Sequence, residues 1–390
     1  MKGRYEFRIK GIRVTIPRIL ALILSICFVV FSYNLVVQGP QSPYTIKPAK
    51  FVVNTSEPIV VVNNTLCRPS IVKTLIGYAI AYAKDTDGKG DIFIKYSQDT
   101  INWSAPMQIT NDTSIETDPS LVKTDFEFVM AYYSDMDGLG NIFISHSSSG
   151  QNWELLSCAS NVSIDSNWAV SKPRLLFDKE GKFWLFYLQQ NITGSKPGNY
   201  SIIAKQSSNG IDWKEPIPVT DESSEGDIRD VSAICTSNGD ILCTFAHSDS
   251  GKLFISKYVP SENRFETVQA SIDYTTSEQK FKMPAIIQSQ NGSYLIFDMC
   301  GIYNSHNLIN WMQISSRPFF EPEGLALNGR ILVSENLLTQ SNKTVYLESV
   351  EIDYIPPEKI PTGKNWTLAF AFATLGMLVV LAIAREVVTE

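Results

Sequence analysis

The sequence predicts an all-β fold, a six-bladed β-propeller, lying between two membrane-crossing helices. Three observations carry this expectation: a tryptophan-ended motif that recurs at blade-like intervals, strand-like alternation between its copies, and a long uncharged run near each end of the 390-residue chain.

The motif reads Ser97-Gln-Asp-Thr-Ile-Asn-Trp103, Ser147-Ser-Ser-Gly-Gln-Asn-Trp153, Ser207-Ser-Asn-Gly-Ile-Asp-Trp213 and Ser305-His-Asn-Leu-Ile-Asn-Trp311. A weaker copy, Ser261-Glu-Asn-Arg-Phe265, lies between the third and the fourth. Trp103, Trp153, Trp213, Phe265 and Trp311 follow one another at intervals of 50, 60, 52 and 46 residues. Periods of this size, filled with short strands, are those of propeller blades.

Between copies, apolar and polar residues alternate and turn residues interrupt them. Leu75-Ile-Gly-Tyr-Ala-Ile-Ala-Tyr-Ala83 leads into Asp85-Thr-Asp-Gly-Lys-Gly-Asp91 and then Ile92-Phe-Ile-Lys-Tyr-Ser97; Phe126 to Ser147 repeats the sequence of events. This is the signature of antiparallel hairpins. The last unit, after Pro322, shows only three strands. The stretch Phe51-Val-Val-Asn-Thr-Ser-Glu-Pro-Ile-Val-Val-Val62 is expected to add its outer strand, closing the ring and removing its edges. The propeller therefore spans residues 51–354.

The flanks divide by charge. Residues 1–18 carry Lys2, Arg4, Arg8, Lys10, Arg13 and Arg18 ahead of the apolar run 19–37; residues 355–367 form a linker to a second run, 368–384, which precedes the tail 385–390. Both runs are about long enough to cross a bilayer, and basic residues stay on the cytoplasmic side. The expectation is a propeller on the extracytoplasmic face of the cell membrane. A cleaved signal peptide competes at the N-terminus, but the run is long for one and lacks a small-x-small site. Of ten Asn-x-Ser/Thr triplets, Asn102 is set aside as lying beside a packing Trp and Asn365 as adjoining the membrane run. The other eight, at Asn54, Asn63, Asn111, Asn161, Asn191, Asn199, Asn291 and Asn342, all fall in the outer segment, as expected for a glycoprotein.

Composition excludes several functions. A formal charge of −7 without a basic stripe makes nucleic acid a poor partner. Three scattered histidines and cysteines without CxxC spacing make a zinc site improbable, and no metal site is assigned. Asp85, Asp87, Asp135 and Asp137 lie in two acidic loops that read as Asp-Gly turns, with calcium as the alternative. Cys235 and Cys243 flank one hairpin turn, either bridged or as free thiols.

The Trp-ended motifs closely resemble the Asp boxes, or bacterial neuraminidase repeats, of the sialidase superfamily. In that box an acid at the third position caps a tight turn while the Trp packs; here only Asp99 keeps the acid. The resemblance implies a structural role for Asp99, Trp103, Trp153, Trp213 and Trp311. It also implies that site residues gather where the innermost strands begin, at Arg68-Pro69, Asp118-Pro119, Pro173-Arg174, Arg229-Asp230, Met283-Pro284 and Glu321-Pro322. Arg68, Arg174 and Arg229 are the candidate ligand-binding residues, and Asp230 and Glu321 the candidate catalytic pair. The second-strand arginine that active members place after the glutamate is missing here. The chain is accordingly read as a membrane-anchored recognition module for glycans or cell-envelope proteins. The alternative is a diverged exo-glycosidase working through two carboxyl groups, and a purely structural envelope role is a third class.

Overall fold

A computed structural model describes residues 49–361 except 87, 164–165, 194–197, 221–226, 274–280, 328 and 340–341. It also describes strands at 6–9, 12–15 and 44–47, together with Leu20, Ile23 and Cys27. The chain divides into two compact units, one formed by Phe51–Asp353 and the other by the two ends. The end unit contains two small antiparallel ladders, Glu6–Ile9 with Ile12–Thr15 and Tyr44–Lys47 with Glu358–Pro361. No helix among the described residues is long and apolar enough to cross a membrane. The runs 19–37 and 368–384 lie outside the described residues, apart from Leu20, Ile23 and Cys27.

The unit Phe51–Asp353 is a propeller of antiparallel sheets. Blade 1 runs through Ser70–Thr74, Gly77–Thr86, Lys89–Ser97 and Met107–Gln108. Blade 2 comprises Glu116–Lys123, Phe128–Ser134, Asn141–Ser147 and Glu154–Cys158; blade 3 comprises Trp168–Phe177, Phe183–Asn191, Tyr200–Ser207 and Ile217–Pro218. Ser232–Cys235, Ile241–Ala246, Leu253–Val259 and Arg264–Gln269 form blade 4. In blade 5, Ala285–Gln288, Tyr294–Asp298, Gly301–Ser305 and Asn310–Ser315 are joined at the edge by the parallel strand Ser271–Asp273. Blade 6 takes Glu323–Leu327, Arg330–Thr339 and Asn342–Ile355 from the end of the chain and Ile59–Thr65 from its beginning.

That borrowed strand closes the ring. Lys343 pairs with Thr65 and Leu347 with Ile59, and the ladder continues where the Ser56 N–H donates to the Ser349 carbonyl at 2.9 Å. The outer strand expected from Phe51 to Val62 is thus present. The innermost strands touch in order round the ring, with blade 6 returning to blade 1. Burial divides accordingly into six apolar clusters, each shared by two adjacent blades.

The four Trp-ended segments share one turn. At the first position a Ser Oγ accepts the N–H of the fourth residue, at 2.9 Å in Thr100, Gly150 and Gly210 and 3.0 Å in Leu308. The fourth residue is left-handed in each, with φ of 68°, 80°, 72° and 66°, which glycine adopts freely and Thr100 and Leu308 adopt under strain. Asp99, Asn209 and Asn307 each cap two further N–H groups, whereas Ser149 caps one. Those backbone N–H bonds, that of Asn102 first, hold the exposed Asp99 carboxyl well below its usual range. Each indole N–H then donates to the fourth residue's carbonyl at 2.9–3.1 Å. Trp103, Trp153, Trp213 and Trp311 thereby lie on the seams between blades 6 and 1, 1 and 2, 2 and 3, and 4 and 5. Phe265 of the weaker copy fills the seam between blades 3 and 4.

Trp311 is almost fully buried, at 1% exposure. Trp311→Ala is expected to cost about 3–5 kcal/mol, the usual range for emptying a buried aromatic site, read as a lower midpoint in urea. An unchanged midpoint would show that the seam does not depend on it.

Candidate functional site

Inner strands begin at one end of the ring, here called the axis face, and run to hairpin tips at the opposite, turn face. Aligning the beginnings of the six inner strands puts Arg68, Asp118, Lys172, Asp230, Met283 and Glu321 at one matched position, five of them followed by proline. Two residues further on stand Ser70, Ser120, Arg174, Ser232, Ala285 and Glu323. The serines have a repeated structural task. Ser70, Ser120 and Ser232 Oγ each accept a backbone N–H of the next blade, from Leu121, Leu175 and Ile286, at 2.8–3.2 Å. Arg174 and Glu323 interrupt that set and bring charge to the axis instead.

At the centre Arg68 reaches across the ring. Its Nη2 lies 2.9 Å from Asp230 Oδ2, on blade 4, and both side chains are 1% exposed. The same guanidinium approaches the Met283 carbonyl of blade 5 at 3.4 Å and Glu323 of blade 6 at 3.8 Å. Arg174 Nη2 takes the other oxygen of Asp230 at 3.2 Å. Burial pushes every charge here toward its neutral form, and the neighbours decide the outcome. Arg68, Arg174 and Lys172 outweigh burial at Asp230 and hold its carboxyl below the usual range. At Glu323 burial prevails over Arg68 and Arg174, so this carboxyl is raised.

A partly exposed rim surrounds this floor. Lys172 Nζ bonds Asp118 Oδ1 at 2.9 Å, and Lys343 Nζ bonds Glu321 Oε1 at 2.7 Å. Asn336 donates to Glu321 Oε2 at 2.7 Å and to the Cys67 carbonyl at 2.9 Å, tying blade 6 to the entry of blade 1. The Lys172 ammonium is raised, burial being overcome by Asp118 and Asp230. Three rim residues have left-handed backbones despite their side chains: Asp118 at φ 55°, Lys172 at 55° and Glu321 at 46°. Bulges accompany two of them, between Thr117 and Ser120 and between Ser171 and Arg174. Strain and bulges of this kind aim side chains, and they concentrate at functional sites.

Of the residues singled out in the sequence, Arg68, Arg174 and Asp230 form the floor and Glu321 the rim. Arg229 does not join them. It is 59% exposed and pairs with Asp227 at 2.6 Å, because Asp230, not Arg229, takes the inward position of blade 4. Asp118 was named as an inner-strand start but given no role, and Lys172 and Glu323 were not singled out. Five x-Pro dipeptides carry the signal that finds Lys172, once Lys172-Pro173 rather than Pro173-Arg174 is taken as the start of blade 3. Asp298, at the axis-face end of the second strand of blade 5, accepts the N–H groups of Lys282, Met283 and Cys300.

The carboxylates of the acidic loops accept backbone N–H groups, those of Asp85 and Asp137 within their own turns and that of Asp135 from the segment before blade 2. Asp85 accepts the Gly88 N–H, Asp135 that of Ile115, and Asp137 those of Leu139 and Gly140. Asp87 lies outside the described residues, among which no group of side chains is placed to hold a metal ion. Cys235 pairs in register with Ile241 and Cys243 with Ala233, and both are free thiols. Two clefts of about 760 and 780 Å³ open elsewhere, one between blades 1 and 2 and one between blades 3 and 4, and neither contains an axial charge.

No family model matches the chain, and no curated protein matches it in sequence. Solved structures do match in fold. A Dyadobacter fermentans protein of unknown function aligns over 77% of this chain and 99% of its own at a TM-score of 0.61 and 16% identity. An α-L-arabinanase of Penicillium chrysogenum, complexed with arabinobiose, aligns over 76% and 98% at 0.59 and 11% identity. The GH93 α-L-arabinofuranosidase of Fusarium graminearum aligns over 76% and 98% at 0.59 and 12%. The fold shared with these structures, two of them glycosidases, is the β-propeller, and the likeness does not single out sialidases.

Two outcomes follow. Asp230→Asn leaves two buried guanidinium groups without their carboxylate and is expected to cost about 3–5 kcal/mol. Since the Asp230 carboxyl is lowered, its contribution is present above pH ~4 and lost as pH falls below it, so the penalty measured in urea shrinks toward pH 2; a constant penalty would contradict the pairing. Glu116, buried two residues before Asp118, behaves oppositely: burial first, with Asp112 adding repulsion, pushes its carboxyl up to about 7. The folded chain then binds the extra proton between pH ~4.5 and 7, and stability declines as pH rises through that window. Glu116→Gln should gain about 2 kcal/mol on wild type between pH 5 and pH 8; an equal offset at both pH values would refute this.

Proposed function

We propose that the chain is a diverged exo-glycoside hydrolase, tethered by residues 19–37 and 368–384 with its propeller outside the cell. The observation that carries the enzymatic reading is Glu323, a quarter-exposed carboxyl with a raised pKa, set at the axis beside carboxylates paired with cations. A carboxyl whose proton is held more tightly, beside a second carboxyl paired with a cation, is the division of labour that glycoside cleavage needs. Glu323 is the proton donor to the leaving oxygen. Asp118 or Glu321, both on the rim and paired with lysines, supplies the second carboxyl group, and the buried Asp230 positions the arginines.

The substrate in this reading is a neutral sugar. A sialic acid would need free arginines to fork its carboxylate, yet Asp230 already lies between Arg68 and Arg174. The likeness to arabinan-acting propellers supports pentose-containing glycans as first probes. The four capped turns support a distant relation to Asp-box propellers as well. The burial of Asp230 favours a second reading, a recognition module that holds glycans or envelope proteins without cleaving them.

The test is hydrolysis of aryl α-L-arabinofuranosides, other neutral aryl glycosides and a fluorogenic sialoside by the full chain. Glu323→Gln is expected to reduce turnover of a neutral glycoside by about 10²–10⁴, the usual share of a general acid. Glycan binding without turnover by wild type would establish the recognition module, and sialoside turnover would overturn the neutral-sugar assignment.

A further inference from the structure

We infer that the turn face of the propeller rests on the lipid bilayer and holds the axis face away from it. This builds on the tether reading above, and three asymmetries of the ring support it.

The first is apolar exposure. At the hairpin tips of blades 1 and 2, Leu75, Ile76 and Phe126 are 91%, 80% and 86% exposed. The tips of the next three blades are polar: Lys179-Glu-Gly181, Ser237-Asn-Gly239 and Gln290-Asn-Gly292. The fifth residue of three capped turns adds Ile101, Ile211 and Ile309 to the same face, each at least about half exposed. A cleft of about 760 Å³ opens between the two apolar tips, lined also by Tyr78, Tyr96 and Phe128. Large apolar groups exposed together at one end of a domain mark a partner or a membrane.

The second is where the chain leaves the ring. Asn342–Ile355 runs from the axis face to the turn face, and Lys50–Thr55 pairs with it. Both ends of the propeller, at Phe51 and Asp353, therefore lie at the turn face beside the neighbour of blade 1. Only residues 38–50 and 354–367 separate them from the two apolar runs. Segments so short reach at most about 50 Å when fully extended, and two of them starting from one face restrict how the ring can turn.

The third is the distribution of glycosylation acceptors. Asn111, Asn161, Asn191, Asn199 and Asn342 stand at strand ends on the axis face, and Asn63 lies two residues from that end of its strand. On the turn face stand two of the eight, Asn291 at the tip of blade 5 and Asn54 in the strand Lys50–Thr55; a further triplet at Asn102 has its amide bonded to Asp99. Bulky hydrated sugars on the axis face would keep lipid from that side.

The experiment places a benzophenone amino acid at Leu75, at Phe126 or, as control, at Leu139. Leu139 is 42% exposed in an axis-face turn of blade 2. Full-length chains are reconstituted in phosphatidylcholine–phosphatidylglycerol vesicles, illuminated and analysed by mass spectrometry. Lipid adducts at residues 75 and 126 should exceed those at 139 by about tenfold or more, because an interfacial contact buries groups only ~5–10 Å deep. Equal labelling at 139, adducts at the tips only to a second copy of the chain, or none at the tips of vesicle-bound protein would overturn the orientation. Protein that fails to float with the vesicles would instead refute the tether itself.

Discussion

Arg68 and Asp230 come from blades that face each other across the ring, and their contact is made where water is excluded from both. Burying two such ions costs several kcal/mol each, which mutual attraction offsets only if geometry is good and the remaining polar atoms are matched. Asp230 meets that condition in part by taking Arg174 on its second oxygen, and Arg68 by lying against Glu323 and the Met283 carbonyl, while Nε and Nη1 of Arg68 and Nε of Arg174 stay buried without a hydrogen-bond partner among the described residues. The pair therefore ties together five blades at once. It also explains why the surrounding charges occur in matched couples, Lys172 with Asp118 and Lys343 with Glu321: an unmatched ion near the axis would have little water to turn to.

The inner strands show how a repeated scaffold makes room for a cluster of charges at its axis. Where the third position is serine, its hydroxyl bonds to the next blade, and the ring is held by a neutral and local device. Replacing that hydroxyl by Arg174 and Glu323 gives up two such bonds and brings a guanidinium and a carboxyl to the axis. The left-handed backbones of Asp118, Lys172 and Glu321 have the same meaning. Each precedes a proline, which already narrows its conformational choice, and each is held in place by the charge it contacts. Fold alone would not point to these residues, since propellers serve many functions; the departures from the repeat do.

The seams are the counterpart of this polar centre. Six apolar clusters, each shared by two blades, carry the hydrophobic stabilisation, and the ring forms only if the last seam does. That seam needs Val61 and Val62 from the start of the chain packed with Val345 and Leu347 from its end. Closure therefore couples the most distant parts of the sequence, a long-range contact of the kind that makes folding slow.

The sequence by itself determined the blades, because the information needed is local. Alternation along Leu75–Ala83 and Phe126–Ser134 places every second side chain in a seam, and the Ser-to-Trp spacing fits one turn regardless of the rest of the ring. The missing strand of blade 6 was legible for the same reason: an unpaired β-run at one end answers a three-stranded unit at the other. The site was legible only in part. Arg68, Arg174, Asp230 and Glu321 could be placed near inner-strand starts, but a one-position ambiguity at blades 3 and 4 concealed Lys172 and made Arg229 look inward. In a strand such a slip reverses the side chain's face. Which charges meet, that Asp230 already fills the arginine fork, and that Glu323 is raised while Asp230 is lowered were decided by tertiary structure alone. These are properties of distances across the axis and of burial, and residues brought together there from six blades share no spacing in the chain.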